Sequence, residues 1–473
     1  MLARLFIALA GLAAATLTTH VADAANRYPV ILVHGFLGYG REELGGLKYW
    51  GTFHGDYEQR LNDQGFDVRT AVVGPVASNW DRAVELFAYI KGGCVNYGPN
   101  HSVARGHSVT GRCFHGIYPE WGNVVNGKVN KIHLVGHSMG GQTIRMLAQL
   151  LAHGTKGAPV QEDPSSHTLF AGGKADWVHS ITTISTPNLG TPIGDAVRSQ
   201  SDNIKNLAAG FFNLINANPN ALVWDAKLDQ WGISPRQPGE SLTNYFIRVA
   251  DSSLFSAGYK DTAAWSLAVA GATEENNWVT TLPNIYYYSF STQDTFRLFN
   301  VVLPRPLSML AILQPISTFL GSQIVQNMGF SQEWQHNDGL VPTISMRSDG
   351  KAEVVEGVQQ SKPGRWHHVA TFTTLDHGAI IGMKLTQDVI DVYSTHCQLL
   401  WDLPVTTSIS GHRALSDAHK TSDEIVKAFS DIVEKVNVAS NDEDVRVTCQ
   451  STKDSSTKLL CAKMLAKFGE DTK

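Results

Sequence analysis

Ser138 stands in Gly136-His137-Ser138-Met139-Gly140, between an apolar run, residues 131–135, and a helical pattern, residues 142–151. A serine hydroxyl is a weak nucleophile. It becomes a strong one when a strained strand-to-helix turn exposes it beside a base, and small residues two before and two after let strand and helix close on each other. Gly136 and Gly140 meet that need. The chemistry this pattern predicts is acyl transfer. A developing oxyanion then needs at least two preorganised N–H groups. The backbone of Met139 supplies one, and that of Phe36, in His34-Gly35-Phe36 after the apolar run 30–33, supplies the other. His34 is expected to be structural, buried beside that turn.

In folds with this nucleophile turn the triad runs serine, acid, histidine. His377 in Thr374-Leu375-Asp376-His377-Gly378 directly follows a strand-like run, residues 369–373, and is the best base. His336 precedes Asp338, the favoured acid, and His367 and His368 begin the strand, so all three are weaker. Two acids fit by position: Asp338 in the turn Asn337-Asp338-Gly339, and Asp294 just after the strand-like run 285–290.

These residues need a scaffold that brings distant loops together. The chain has 473 residues, 43% apolar and 17% charged, enough for a large α/β domain with insertions and too apolar for disorder. Its 38 basic and 43 acidic side chains give a charge of −5, which argues against nucleic acid as a partner. Buried strands are expected at 30–33, 68–73, 131–135, 178–184, 285–290 and 368–372, separated by longer mixed segments. Such alternation predicts a mainly parallel sheet with helices on both faces.

Residues 1–24 carry Arg4, an apolar run and Ala22-Asp23-Ala24, the pattern of a secretory signal peptide. The other apolar stretch, residues 301–320, is broken by Pro304, Pro306 and Pro315, so no transmembrane segment is expected and the protein reads as secreted. Export permits disulfides among the five cysteines: Cys94 with Cys113 could close a loop, Cys449 with Cys461 could staple the tail, and Cys397 is left over. From about residue 405 to 473 the composition changes, marking a separate tail. Ile425, Val426, Phe429, Ile432, Val433 and Val436 follow a Ser422-Asp423 start signal at helical spacing, and Leu459 to Phe468 repeat the pattern. Two amphipathic helices are expected, packed on the main domain or on each other.

The chain resembles the thermoalkaliphilic, zinc-containing bacterial lipases of the Geobacillus and Staphylococcus type. The carrying segments include His34-Gly35-Phe36, Gly40-Arg41-Glu42-Glu43, Lys48-Tyr49-Trp50-Gly51, Ser78-Asn79-Trp80-Asp81-Arg82-Ala83, Gly140-Gly141-Gln142-Thr143 and Lys227-Leu228-Asp229-Gln230-Trp231-Gly232, and the likeness runs from about residue 29 to 393. It implies an α/β-hydrolase fold with a helical lid and a zinc-binding insertion over residues 25–404, to which this chain adds its helical tail. It implies Asp338 as the acid and His377 as the base, with oxyanion donors at Phe36 and Met139. It also implies a structural zinc held by Asp81, His101, His107 and Asp261, in a subdomain of about residues 78–115 with residue 261. Spacing alone would leave His101 and His107 as two loop histidines, and a rival set, Cys94, His101, His107 and Cys113, remains visible. The family's calcium site is not expected here, because Ala379 and Lys384 stand where oxygen ligands are needed.

The resemblance places a lid at about residues 190–260, where Ile204, Leu207, Phe211, Phe212, Leu214 and Ile215 share a helix face. Such a lid would meet a lipid–water interface. The implied activity is hydrolysis of long-chain acylglycerols. A carboxylesterase or phospholipase with the same triad, and a secreted surface-binding protein on a hydrolase scaffold, are the alternatives. Nothing in the sequence sets an oligomeric state.

Overall fold

The computed structural model describes residues 26–199, 224–256, 258–405 and 418–437. The expected signal peptide, the apolar stripe from Ile204 to Ile215, the second tail helix and Cys449 with Cys461 lie outside the described residues.

Seven strands form the central sheet: β1 (Val30–Val33), β2 (Val68–Ala71), β3 (Ile132–His137), β4 (Val178–Ile184), β5 (Tyr286–Thr292), β6 (Val354–Glu356) and β7 (Trp366–Phe372). Their order is β6-β7-β5-β4-β3-β1-β2, and every pairing is parallel. This is the expected α/β class. Alternate side chains of each strand enter opposite layers: Val30 and Leu32 join one core, Ile31 and Val33 the other. The helices Asn79–Lys91 and Met139–His153 cover one face, while Ile390–Trp401 and Ala418–Val436 cover the other. The strand order reverses between β1 and β3, so their carboxyl ends open a crevice, the place where such sheets bind ligands.

Boundaries differ from expectation for local reasons. β2 stops at Ala71, because the Val73 amide donates to the His34 ring at 3.3 Å. The helix after the nucleophile begins at Met139, three residues earlier than its apolar periodicity indicates, since Gly140 and Gly141 occupy its first turn. β6 is three residues long, too short to carry a pattern. Residues 301–320 split into a strand, Val301–Pro304, and the start of a helix, Gln314–Met328.

The first tail helix begins at Ala418, four residues before the Ser422-Asp423 signal, and packs on the main domain, one of the two expected packings: Ile425, Phe429 and Val436 are buried in the sheet's own core. Cys94 and Cys113 form a disulfide across the antiparallel hairpin Gly93–Asn96 and Thr110–Phe114, which removes the rival Cys2His2 set. Cys397 is a buried free thiol.

Candidate active site

β3 ends at His137 and the chain turns through Ser138, with φ 55° and ψ −131°, into the helix Met139–His153. Positive φ strains a side-chain-bearing residue, and close packing holds it there. The Ser138 amide donates to the Ile184 carbonyl at 2.8 Å. A Cβ on Gly136 would meet the backbone of Gly140 and Gly141, and one on Gly140 would meet the Val33 carbonyl. The two glycines are therefore what brings strand and helix close enough to expose the hydroxyl.

His377 follows β7 in a loop and meets Ser138 in the cleft that both line. Its Nδ1–H donates to Asp338 Oδ2 at 2.7 Å, leaving Nε2 to accept the Ser138 hydroxyl at 2.8 Å. Asp338 is fully buried; Oδ2 also accepts the Thr292 hydroxyl at 2.7 Å, and Oδ1 accepts the amides of Leu340 and Val341 at 3.1 and 2.9 Å. The structure thus brings Ser138, Asp338 and His377 into one hydrogen-bonded line.

Asp294 stays outside that line. Its Oδ1 lies 3.9 Å from Arg305 Nε, and burial, with Asp376 nearby, pushes its carboxyl well above the usual range. His34 is fully buried: Nδ1–H donates to the Gly35 carbonyl at 2.9 Å and Nε2 accepts from Val73. His336 bonds Thr295, while His367 and His368 bond Gly357, Ser289 and Thr371.

Phe36 follows β1 and lines the cleft with Ser138 and His377. Met139 opens its helix, so its amide is one of the first-turn N–H groups that no intrahelical carbonyl can satisfy. The cleft measures about 1110 Å³ including its open mouth, and Leu267, Leu310, Leu313, Ile381 and Met383 make its wall apolar.

One feature of the site has no signature in the sequence. The Gly35 amide donates to the Tyr49 oxygen at 3.0 Å, the Tyr49 hydroxyl donates to His137 Nδ1 at 2.6 Å, and His137 Nε2–H donates to the His377 carbonyl at 3.0 Å. Burial, then the neighbouring His377, holds the His137 ring neutral. The only available signal was that a buried tyrosine hydroxyl needs a partner.

Asp81, His101, His107 and Asp261 meet in a second, buried cluster, each offering a ligand atom within 4.8 Å of the others. His101 Nε2 lies 3.2 Å from Asp81 Oδ1 and 3.2 Å from Asp261 Oδ1, while His107 Nε2 lies 3.1 Å from Asp261 Oδ2 and 3.9 Å from Asp81 Oδ1. Metal–ligand lengths of about 2.0–2.1 Å give a tetrahedral site edges of roughly 3.3 Å, close to these. Outer bonds orient the donors: His107 Nδ1–H donates to the Ser108 carbonyl at 2.8 Å, and Gln230 Nε2 donates to Asp81 Oδ2 at 3.1 Å. Both histidine Nε2 atoms are buried without a hydrogen-bond partner. Such orphaned donors fit a metal ion.

The profile of the lipase-like C-terminal domain matches residues 26–402. The chain belongs to that family. It is 34% identical over 379 residues to a lipase of Staphylococcus epidermidis, covering 79% of this chain and 52% of that one, and so spans about half the length of the curated relatives it matches. Among solved structures it is similar to lipase 1 from Pelosinus fermentans, with 42% identity, TM-score 0.71, and coverage of 80% of this chain and 99% of that one. EstA from Clostridium botulinum is 38% identical with TM-score 0.72, covering 82% and 90%. The Staphylococcus hyicus lipase is 30% identical with TM-score 0.66, covering 80% and 96%.

Lys384 Nζ donates to Ser308 Oγ at 2.9 Å and to the Thr374 carbonyl at 3.3 Å, tying the His377 loop to the segment that also bonds Asp376. The family match ends before the tail helix Ala418–Val436.

Proposed function

We propose that this lipase-family chain is a secreted triacylglycerol lipase that cleaves carboxylic esters of long-chain fatty acids with Ser138, His377 and Asp338. The observation that carries the reading is the hydrogen-bonded line from Asp338 through His377 to Ser138, at the mouth of an apolar cleft. Ser138 Oγ bonds to the ester carbonyl carbon while its proton passes to His377 Nε2. Asp338 stabilises the imidazolium, and the Phe36 and Met139 amides receive the oxyanion. The alkoxide leaves with the proton from Nε2. Water, deprotonated by the same nitrogen, then cleaves the acyl-enzyme and releases the fatty acid and Ser138.

The apolar wall suits an acyl chain, and a lid over residues 190–260 would present further apolar surface to a lipid–water interface. Two imidazoles and two carboxylates suit zinc, and four protein ligands leave no place for a reacting water. Asp81, His101, His107 and Asp261 would therefore hold a structural ion that pins three distant segments together.

The test compares the mature chain with Ser138→Ala on an emulsified long-chain triglyceride and a soluble short-chain ester. Serine-dependent triglyceride hydrolysis that rises above the solubility limit is the expected result. Activity confined to dissolved short esters would make the enzyme a carboxylesterase, and no Ser138-dependent turnover of either would remove the reading.

A further inference from the structure

The tail helix, which lies beyond the family match, ends against an edge of the sheet. β6 pairs with β7 only from Trp366 to His368, so the outer edge of β7 is uncovered beyond that point. A bare strand edge exposes backbone groups that must find partners. Asn437, directly after the helix Ala418–Val436, fills this gap: its Oδ1 accepts the Thr373 amide at 2.6 Å and its Nδ2 donates to the Thr371 carbonyl at 3.3 Å. One carboxamide thus takes the place of a strand's peptide group at two positions of the same edge.

Thr374, two residues past the end of β7, is bound as well. The Thr374 hydroxyl donates to the Val436 carbonyl, one of the last-turn acceptors that a helix cannot satisfy within itself. The Thr374 carbonyl receives Ser308 Oγ at 3.1 Å and Lys384 Nζ at 3.3 Å. Thr374 is therefore clamped from the tail on one side and from the loop network on the other, three residues before His377. The helix is anchored independently of these polar bonds. Phe429 lies 5.7 Å from the Phe290 ring and 6.4 Å from His396, with Ile425 in the same core.

We propose that the tail helix is a brace for the catalytic loop, with Asn437 and Thr374 as positioning residues that set where β7 releases the chain carrying His377. The proposal rests on His377 being the base of the hydrolase reading. Its role is to hold the imidazole in line with Ser138, so its loss acts on the chemical step and leaves substrate binding alone. Misplacement of a catalytic group by about 1 Å can cost on the order of a hundredfold in rate.

Full-length Thr374→Val, Asn437→Leu and the double variant are assayed on a soluble short-chain ester. Active serines are counted by a phosphonate ester that esterifies the nucleophile. The expected result is kcat per titrated site lowered about tenfold in the double variant with KM unchanged, each single variant falling between, and Thr374→Ser, which keeps the hydroxyl, near wild type. Unchanged kcat per titrated site, even with a lower Tm, would overturn the brace and leave the helix a structural staple. So would a Thr374→Ser enzyme as slow as Thr374→Val. Wild-type turnover that does not depend on Ser138 would overturn the hydrolase reading and the brace together, whereas Ser138-dependent turnover with unaffected variants overturns the brace alone.

Discussion

The Tyr49 hydroxyl donates to His137 Nδ1 across 2.6 Å, and through this bond the Gly35 turn and the His377 loop share one directional relay. Gly35 enters it at the tyrosine oxygen and the His377 carbonyl closes it at His137 Nε2. Tyr49→Phe keeps the ring in its buried place but leaves the Gly35 amide and His137 Nδ1 without their partner. Each such loss costs about 1–3 kcal/mol. The expected outcome is a lower Tm and a several-fold lower kcat, measured by thermal unfolding and by turnover of a soluble ester. Unchanged values would show that the relay is dispensable.

Asp338 and Asp294 are separable by one substitution each. Asp338→Asn keeps the shape but, by offering an amide to His377 Nδ1, favours the wrong imidazole tautomer; a loss of about 10⁴ in kcat is expected. Asp294→Asn touches no group in the line to Ser138 and should cost less than about tenfold in kcat. Similar losses in both variants would return the acid's identity to an open question.

How far the sequence reached is visible at these same residues. Six of the seven sheet strands follow from apolar β-rich runs, because a parallel sheet covered on both faces writes its strands as unbroken apolar segments. β6 left no such mark, for three residues on an edge bury too little. The nucleophile turn was legible because Gly136 and Gly140 are required by steric contact and lie within five residues. Choosing Asp338 over Asp294 needed the family likeness, since both follow β5 within the permitted order. The relay through Tyr49 and His137 joins residues 88 apart, and nothing local encodes it. The tail's period was legible, but its partner was not: an apolar stripe states that a helix is covered, not by what.

The Asp81, His101, His107 and Asp261 cluster predicts a metal-dependent melting curve. Elemental analysis of the purified chain should find about one zinc per molecule, as a closed four-ligand site implies. Chelation should lower Tm, because binding to the folded state alone stabilises it in proportion to the logarithm of metal over Kd. His101→Ala should show a low Tm that chelator no longer changes. A chain without zinc, melting identically with and without chelator, would leave the cluster as buried ion pairs.

His396 gives a pH dependence of known sign. It is fully buried between Tyr288, Phe290 and Phe429, with Nε2 bonded to the Thr182 hydroxyl at 2.6 Å, and burial lowers its pKa from 6.5 to about 3. Below pH 6.5 the unfolded chain takes up a proton that the folded chain refuses until about pH 3. The stability that goes with the neutral ring is therefore whole above pH 6.5 and lost as pH falls toward 3. Its slope in that window is about 1.4 kcal/mol per pH unit for one proton. Other buried groups titrate there too, His179 in the same sense and Glu85 and Glu275 in the opposite one, so the test is a difference. Denaturant unfolding of wild type and His396→Gln from pH 8 to pH 4 should give parallel curves above about pH 6.5, with the wild type falling more steeply below it by roughly that amount. Curves that stay parallel throughout would mean that His396 takes its proton without unfolding.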